Sequence, residues 1–312
     1  MKTFLMFFLY ITTSLTMLQA TAVYASELIQ PIPNKIDVNP SKVKLGKSLF
    51  FDPKLSKDGT INCAVCHQLA KGGDDNLSVS IGIKGQHGIR NAPTVFNAVF
   101  NRYQFWDGRV KTLQEQVLVP IENPLEMGHQ IEILIKELQK TNYQQKFQNI
   151  YHDGLTALNL SDAIAEYEKT LITPNAPFDQ FLRGDKNAIT QEQKAGYELF
   201  KSKGCIACHN GINIGGNSFN KFGIFTKSNS PDLGRYQITH KEQDKHRFRV
   251  PSLRNVAKTA PYFHDGKTYE LAEAVRTMAK YQLGRKITDD EVKKIVAFLE
   301  SLSGELPKES IQ

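Results

Sequence analysis

The sequence predicts an all-α protein built from two similar helical units in tandem, and three observations predict it. All four cysteines of the 312-residue chain fall in two copies of one pattern, Cys63-Ala64-Val65-Cys66-His67 and Cys205-Ile206-Ala207-Cys208-His209. Each copy follows a Gly-x-x-Leu-Phe segment, as a duplicated unit would: Leu45-Gly46-Lys47-Ser48-Leu49-Phe50 and Ala195-Gly196-Tyr197-Glu198-Leu199-Phe200. Each half then closes on an apolar stripe at helical spacing. The stripe is Ala163, Ile164, Tyr167 and Leu171 in one half, and Val292, Ile295, Val296, Leu299 and Leu302 in the other.

At the N-terminus, Lys2, the apolar stretch from Phe4 to Leu18 and the small-residue site Val23-Tyr24-Ala25 read as a cleavable secretory signal over residues 1–25. Thr12, Thr13, Ser14 and Thr16 interrupt the apolar run and leave it short for a spanning helix; an uncleaved anchor is the alternative. The first domain is expected over 26–173. Between Phe50 and Cys63 it carries an insertion marked by the turn formers Asp52-Pro53 and Asp58-Gly59. Thr173-Pro174-Asn175-Ala176-Pro177 reads as the linker to a second domain over 174–312, where Thr190 is the expected N-cap of the next helix.

Cys-x-x-Cys-His is the attachment signature of a c-type haem. The two thiols add across the vinyl groups of one porphyrin, and the adjacent imidazole is held where it can bind iron. A structural zinc would want four thiolates at one metal, and a thioredoxin-like motif would want a βαβ pattern. Neither fits two distant pairs that consume every cysteine. A first helix, a haem site and a packing terminal helix match the small cytochrome c architecture, so the expectation is two cytochrome c-like haem domains in tandem. Thioether attachment takes place outside the bacterial cytoplasm, which agrees with the signal and points to the periplasm. The formal charge of +7 is largely offset by four haem propionates and the loss of Lys2. No Lys/Arg block or basic–aromatic interleaving suggests nucleic-acid binding.

The two haems then differ in their surroundings. After signal cleavage only Met127 and Met278 remain. Met278, in the pattern Leu271, Ala274, Val275, Met278, is a core residue or the sixth ligand of the second haem; methionine opposite histidine raises the potential. By the same spacing Met127 could close the first iron. Its neighbour Glu126 lies in a loop, Asn123-Pro124-Leu125-Glu126-Met127-Gly128-His129. Glu126 is either a solvated charge or a carboxyl that moves a proton between the oxygens of a peroxide. Trp106, the only tryptophan, is either a buried ring or a contact between haems through which an electron passes.

Four further stretches carry a resemblance: Asn91-Ala92-Pro93-Thr94-Val95, Gln104-Phe105-Trp106-Asp107-Gly108-Arg109, Leu171-Ile172-Thr173-Pro174 and Thr259-Ala260-Pro261-Tyr262-Phe263-His264. With the two haem motifs, the chain resembles the bacterial di-haem cytochrome c peroxidases over nearly all of its mature length. The resemblance implies a low-potential peroxidatic haem on Cys63, Cys66 and His67, and a high-potential haem on Cys205, Cys208, His209 and Met278. It makes Glu126 the catalytic acid–base with Gln116 beside it, Trp106 the residue between the haems, and Met127 a neighbour rather than a ligand. A calcium ion is implied at Asn91 and the carbonyls of Thr259 and Pro261, oxygen ligands that calcium accepts. The partners implied are hydrogen peroxide, a small reduced c-type cytochrome or cupredoxin, and a second copy of the chain in a homodimer. Where many members carry a displaceable histidine, this sequence has Ile83, which cannot ligate iron. His87, in a loop made pliable by Gly82, Gly85 and Gly88, is a candidate distal ligand or a solvated residue. Two alternatives stand beside the peroxidase: a non-catalytic di-haem electron carrier with both irons six-coordinate, and a methylamine-utilisation type of di-haem oxidase. The latter acts on a protein substrate and carries Tyr where Met278 stands.

Overall fold

The computed structural model describes residues 28–228 and 230–307; the expected signal lies outside them. In the first half, α1 (Pro40–Phe50) starts where the Asn39 side chain accepts from the amides of Ser41 and Lys42, with proline at the first position. A single turn, α2 (Cys63–Cys66), carries the first cysteine pair. α3 (Leu113–Glu122) is opened by a Thr112–Glu115 capping box. Beyond it lie α4 (Ile131–Leu138), α5 (Tyr143–Gln148) and α6 (Ala157–Lys169). In the second half, α7 (Pro177–Leu182) leads to α8 (Gln191–Ser202), which opens on a Thr190–Gln193 capping box. A short α9 (Tyr236–Thr239) precedes α10 (Leu271–Leu283) and α11 (Asp289–Glu300). Among the described residues the named strands form a two-stranded antiparallel ribbon, β1 (Phe219–Lys221) with β2 (Arg247–Arg249), registered Phe219 to Arg249.

The Gly-x-x-Leu-Phe duplication has a steric cause. A Cβ on Gly46 would lie 1.8 Å from the Ala163 carbonyl oxygen, and one on Gly196 would lie 1.9 Å from that of Lys294. Glycine thus lets α1 cross α6, and α8 cross α11, at backbone contact. The following Leu and Phe then enter the core: Leu49 and Phe50 are buried, as is Phe200, each contributing about 1.5–3 kcal/mol by burial. Phe50 meets Tyr167 of α6 edge-on at 5.2 Å, and Phe200 meets Phe298 of α11 at 5.1 Å.

A second duplicated signal is hidden in the sequence. Pro93-Thr94-Val95-Phe96-Asn97 and Pro251-Ser252-Leu253-Arg254-Asn255 both end on an asparagine at φ 61°, ψ 12° that opens a 3-10 turn. Gln104-Phe105-Trp106-Asp107-Gly108 and Tyr262-Phe263-His264-Asp265-Gly266 likewise share a phenylalanine at positive φ, 65° and 69°. The repeats meet at the centre of the molecule. Asn97 and Asn255 both donate to the Thr173 hydroxyl oxygen, at 2.8 and 2.9 Å. The expected linker packs inward at two positions: Thr173 and Ala176 are buried, and α7 sends Phe178 into the second core. Residues 29–32, expected with the first domain, also pack on the second half. Ile29 bridges Gly211 and lies in that core, and the Ile32 amide donates to Asp179 Oδ1. No helix among the described residues is long and apolar enough to cross a membrane.

Candidate functional site

In the second half, α8 ends at Ser202 and Gly204 (φ 96°) turns the chain into Cys205–Ala207. His209 comes next, with Nδ1 3.3 Å from the Ile214 carbonyl oxygen. A carbonyl bonds only a protonated Nδ1, so Nε2 keeps its lone pair for a metal. Burial lowers the imidazole pKa to about 4, which holds the neutral, ligating form. Cys205, Cys208 and His209 line a cavity of about 320 Å³, and Met278 on α10 lines it too. Two free thiols, a directed imidazole nitrogen and a thioether in one largely apolar cavity fit a c-type haem.

The first half repeats this donor set. His67 Nδ1 lies 3.1 Å from the Gly73 carbonyl oxygen, and burial lowers its pKa. Cys63 and Cys66 are free thiols. The difference lies in the loop after α3. Pro120 removes an amide from the helix, which stops at Glu122, and Asn123 organises the turn beyond it. The Asn123 carbonyl receives the amides of Glu126 (3.0 Å) and Gly128 (2.9 Å). Its side chain accepts from Leu125 N and donates to Glu126 Oε1 at 2.7 Å. Glu126 lies close enough to Cys66 for its charge to act on that thiol. Burial raises the Glu126 carboxyl above its ordinary range, against the opposing pull of Asn123 and Arg109. Gln116 sits half-buried on α3, a turn before Pro120, whose carbonyl receives the Met127 amide. Met127 itself is buried in the first core.

The loop with Ile83 presses on the same turn. Ile83 N donates to the Glu126 carbonyl at 2.8 Å, and a Cβ on Gly82 would lie 2.1 Å from the Leu125 carbonyl oxygen. Ile83 is buried. His87 is exposed, in an isolated antiparallel bridge to Ile81.

Between the halves, Trp106 is buried and donates from Nε1 to the Asn91 carbonyl at 2.9 Å. It meets His264, its counterpart in the repeat, edge-on at 6.3 Å. Trp106, Asn91, Thr259 and Pro261 all line the cavity that holds Cys205 and Met278. Sequence-distant candidates are thus brought to one place. Asn91 uses Nδ2 on the Leu77 carbonyl, which leaves Oδ1 as the oxygen available to a cation. Two residues here escape a reading of the sequence. Asp74 is buried with Oδ2 unpartnered, and burial, then Asp75, pushes its pKa up to about 7. Asn76 donates to the Ala260 carbonyl at 3.0 Å. Neither sits in a motif that would have marked it. Among the described residues no three His, Cys, Asp or Glu side chains group to hold a metal; a cation here would rest mainly on neutral oxygens, as calcium accepts.

Two thiol pairs, each with a directed imidazole, define the chain as a c-type protein with two haem centres. Comparison with known proteins then places it among them. A family model for di-haem cytochrome c peroxidase matches residues 40–187, and one for cytochrome c matches 193–303. The chain is 49% identical over 288 residues to the cytochrome c peroxidase Ccp of Escherichia coli, covering 90% of this chain and 62% of that protein. It is 46% identical to the cytochrome c551 peroxidase of Nitrosomonas europaea, covering 95% of this chain and 92% of that one. Among solved structures, a MauG-like protein associated with microbial copper homeostasis superposes with a TM-score of 0.78 at 23% identity, covering 91% of this chain and 96% of that one; this likeness concerns the fold. The chain belongs to the di-haem cytochrome c peroxidase family and carries two c-type haems.

Proposed function

We propose that the protein is a periplasmic peroxidase that reduces hydrogen peroxide to two waters with two protons from solvent and two electrons from a small reduced c-type cytochrome or cupredoxin. The observation that carries this reading is the inequality of the two centres: a half-buried carboxyl with a raised pKa stands by the first motif, and a thioether shares the cavity of the second. When bound, the haems supply an iron for peroxide at Cys63, Cys66 and His67 and an iron for electron entry at Cys205, Cys208, His209 and Met278. Glu126, held by Asn123 with a raised pKa, takes a proton from one peroxide oxygen and returns it to the other. Gln116 orients the peroxide. Trp106, anchored on Asn91, fills the space between the halves and is the contact an electron crosses.

The domains divide at 173/174, calcium sits at Asn91 and the carbonyls of Thr259 and Pro261, and the protein works as a homodimer. With Ile83 buried and His87 exposed, neither residue would supply a further ligand to a haem held by the first motif. The test is anaerobic titration of the holoprotein with peroxide in the presence of a reduced small c-type cytochrome. One peroxide should oxidise two donors per turnover. Two six-coordinate irons inert to peroxide would make the protein an electron carrier instead.

A further inference from the structure

Among the described residues two guanidinium groups are deeply buried, and their surroundings differ. Arg254 is 1% exposed and fully occupied. It pairs with Asp179 at 2.6 Å and donates to the carbonyls of Ile212 and Gln30. Arg249, the last residue of β2, is 3% exposed and has no carboxylate partner among the described residues. Its Nε donates to the Phe105 carbonyl at 3.0 Å and its amide to the Trp106 carbonyl at 2.7 Å, but Nη1 is buried with no acceptor. Nearby acids are already paired: Asp107 with Arg90 and Arg109, and Asp232 with Arg90. A buried cation without a counter-charge is costly, and folded proteins pair such groups. Arg249 lines the cavity that holds Cys205, His209 and Met278.

Asp74 also lines that cavity but exerts no charge effect on Arg249; a haem there brings the carboxylate that Arg249 lacks. Guanidinium and carboxylate match as planar fork and planar acceptor. We infer that Arg249 binds a propionate of the second haem and, through the Phe105 and Trp106 carbonyls, sets that haem in register with Trp106. Arg249 is thus a positioning residue. A fixed cation beside the haem also opposes the positive charge of its oxidised state, so Arg249 raises the potential of that centre.

The inference rests on the second haem of the proposed function and not on peroxide turnover, so its test reads potentials. In the full-length holoprotein, spectroelectrochemical titration of Arg249→Met should shift the reduction equilibrium of the second haem at least tenfold toward the oxidised form, about 59 mV. The first haem should stay unchanged, and Arg249→Lys should recover part of the shift. Equal shifts at both haems, or a shift below threefold at the second, would overturn it. Should the methionine variant fail to take up haem, a crystal structure of the wild-type holoprotein decides: a propionate oxygen must lie within hydrogen-bond distance of Nη1, and propionates turned elsewhere refute the assignment. Absence of a second covalent haem would instead remove the reading on which the inference stands.

Discussion

Replacing Glu126 by glutamine tests the chemistry with little disturbance of the fold. Oε1 of Glu126 accepts from Asn123 Nδ2 at 2.7 Å, and the amide oxygen of glutamine can keep that bond. The backbone of residue 126 is held independently, by Asn123 O and by the Ile83 amide. The substitution therefore removes the proton-accepting oxygen and little else. General acid–base catalysis contributes about 10²–10⁴ in rate, or roughly 3–5 kcal/mol at 1.36 kcal/mol per decade. kcat should fall by that factor while both haems remain attached by absorbance and mass. The pH profile supplies a second handle. The carboxylate is the active form, so the rate falls as pH drops through the Glu126 pKa. Burial places that limb above the ordinary glutamate range. Asn123→Asp keeps the oxygen that accepts from Leu125 N but exchanges the stabilising donor for a second negative charge. The limb should then move to still higher pH. Turnover of Glu126→Gln within fivefold of wild type, with the limb in place, would remove Glu126 from the mechanism.

The geometry makes four other outcomes testable. Gly46→Ala forces α1 from α6, since its Cβ would lie 1.8 Å from the Ala163 carbonyl oxygen. Overpacking of about 1–3 kcal/mol should exceed the ~1 kcal/mol gain in helix propensity, and calorimetry should show a lowered Tm; an unchanged Tm would contradict the packing argument. Glu168 is buried with Oε2 unpartnered, and burial pushes its pKa up to about 8, against about 4.3 unfolded. Its stabilising effect is complete below the unfolded value and is lost as pH rises through the folded one, so Glu168→Gln should flatten the decline of urea midpoints between about pH 5 and pH 8. Ile83→His, at a buried position bonded to the Glu126 turn, should convert a high-spin resting signal of the first haem in electron paramagnetic resonance to low spin. A low-spin wild type would refute the open site. Chelation should depress turnover and added calcium restore it, with Asn91→Ala no longer responding; turnover indifferent to both would remove the calcium.

The helical framework is legible in the sequence because its signals are local. Gly46 and Gly196 mark close helix crossings, Thr190 caps α8, and the terminal stripes announce buried faces. The haem motifs are legible because thioether chemistry fixes the spacing of their thiols. Less visible are the features that depend on partners far along the chain. The Pro-rich composition of 173–177 marks a linker but not its partners: two asparagines 158 residues apart close on Thr173. The Asn97 and Asn255 repeats can be found by comparing the halves, yet their phenylalanine and arginine neighbours hide the likeness. β1 and β2 lie too far apart to give a hairpin signal. Arg249 and Asp74 belong to no pattern at all: a lone charge is ordinary until the fold buries it.

The crossing of residues 29–32 onto the second half has a consequence for how the chain is made and divided. These residues emerge from the ribosome well before their partners and can take their seat only after Asp179, Gly211 and Arg254 have been synthesised. The second unit therefore cannot reach its final state from its own sequence alone. Expressed as 174–312, it would lack Ile29 and Ile32 and leave Arg254 without the Gln30 carbonyl. The leading strap makes completion of the later unit depend on the earlier end of the chain, so two motifs that look separable in sequence mature as one piece.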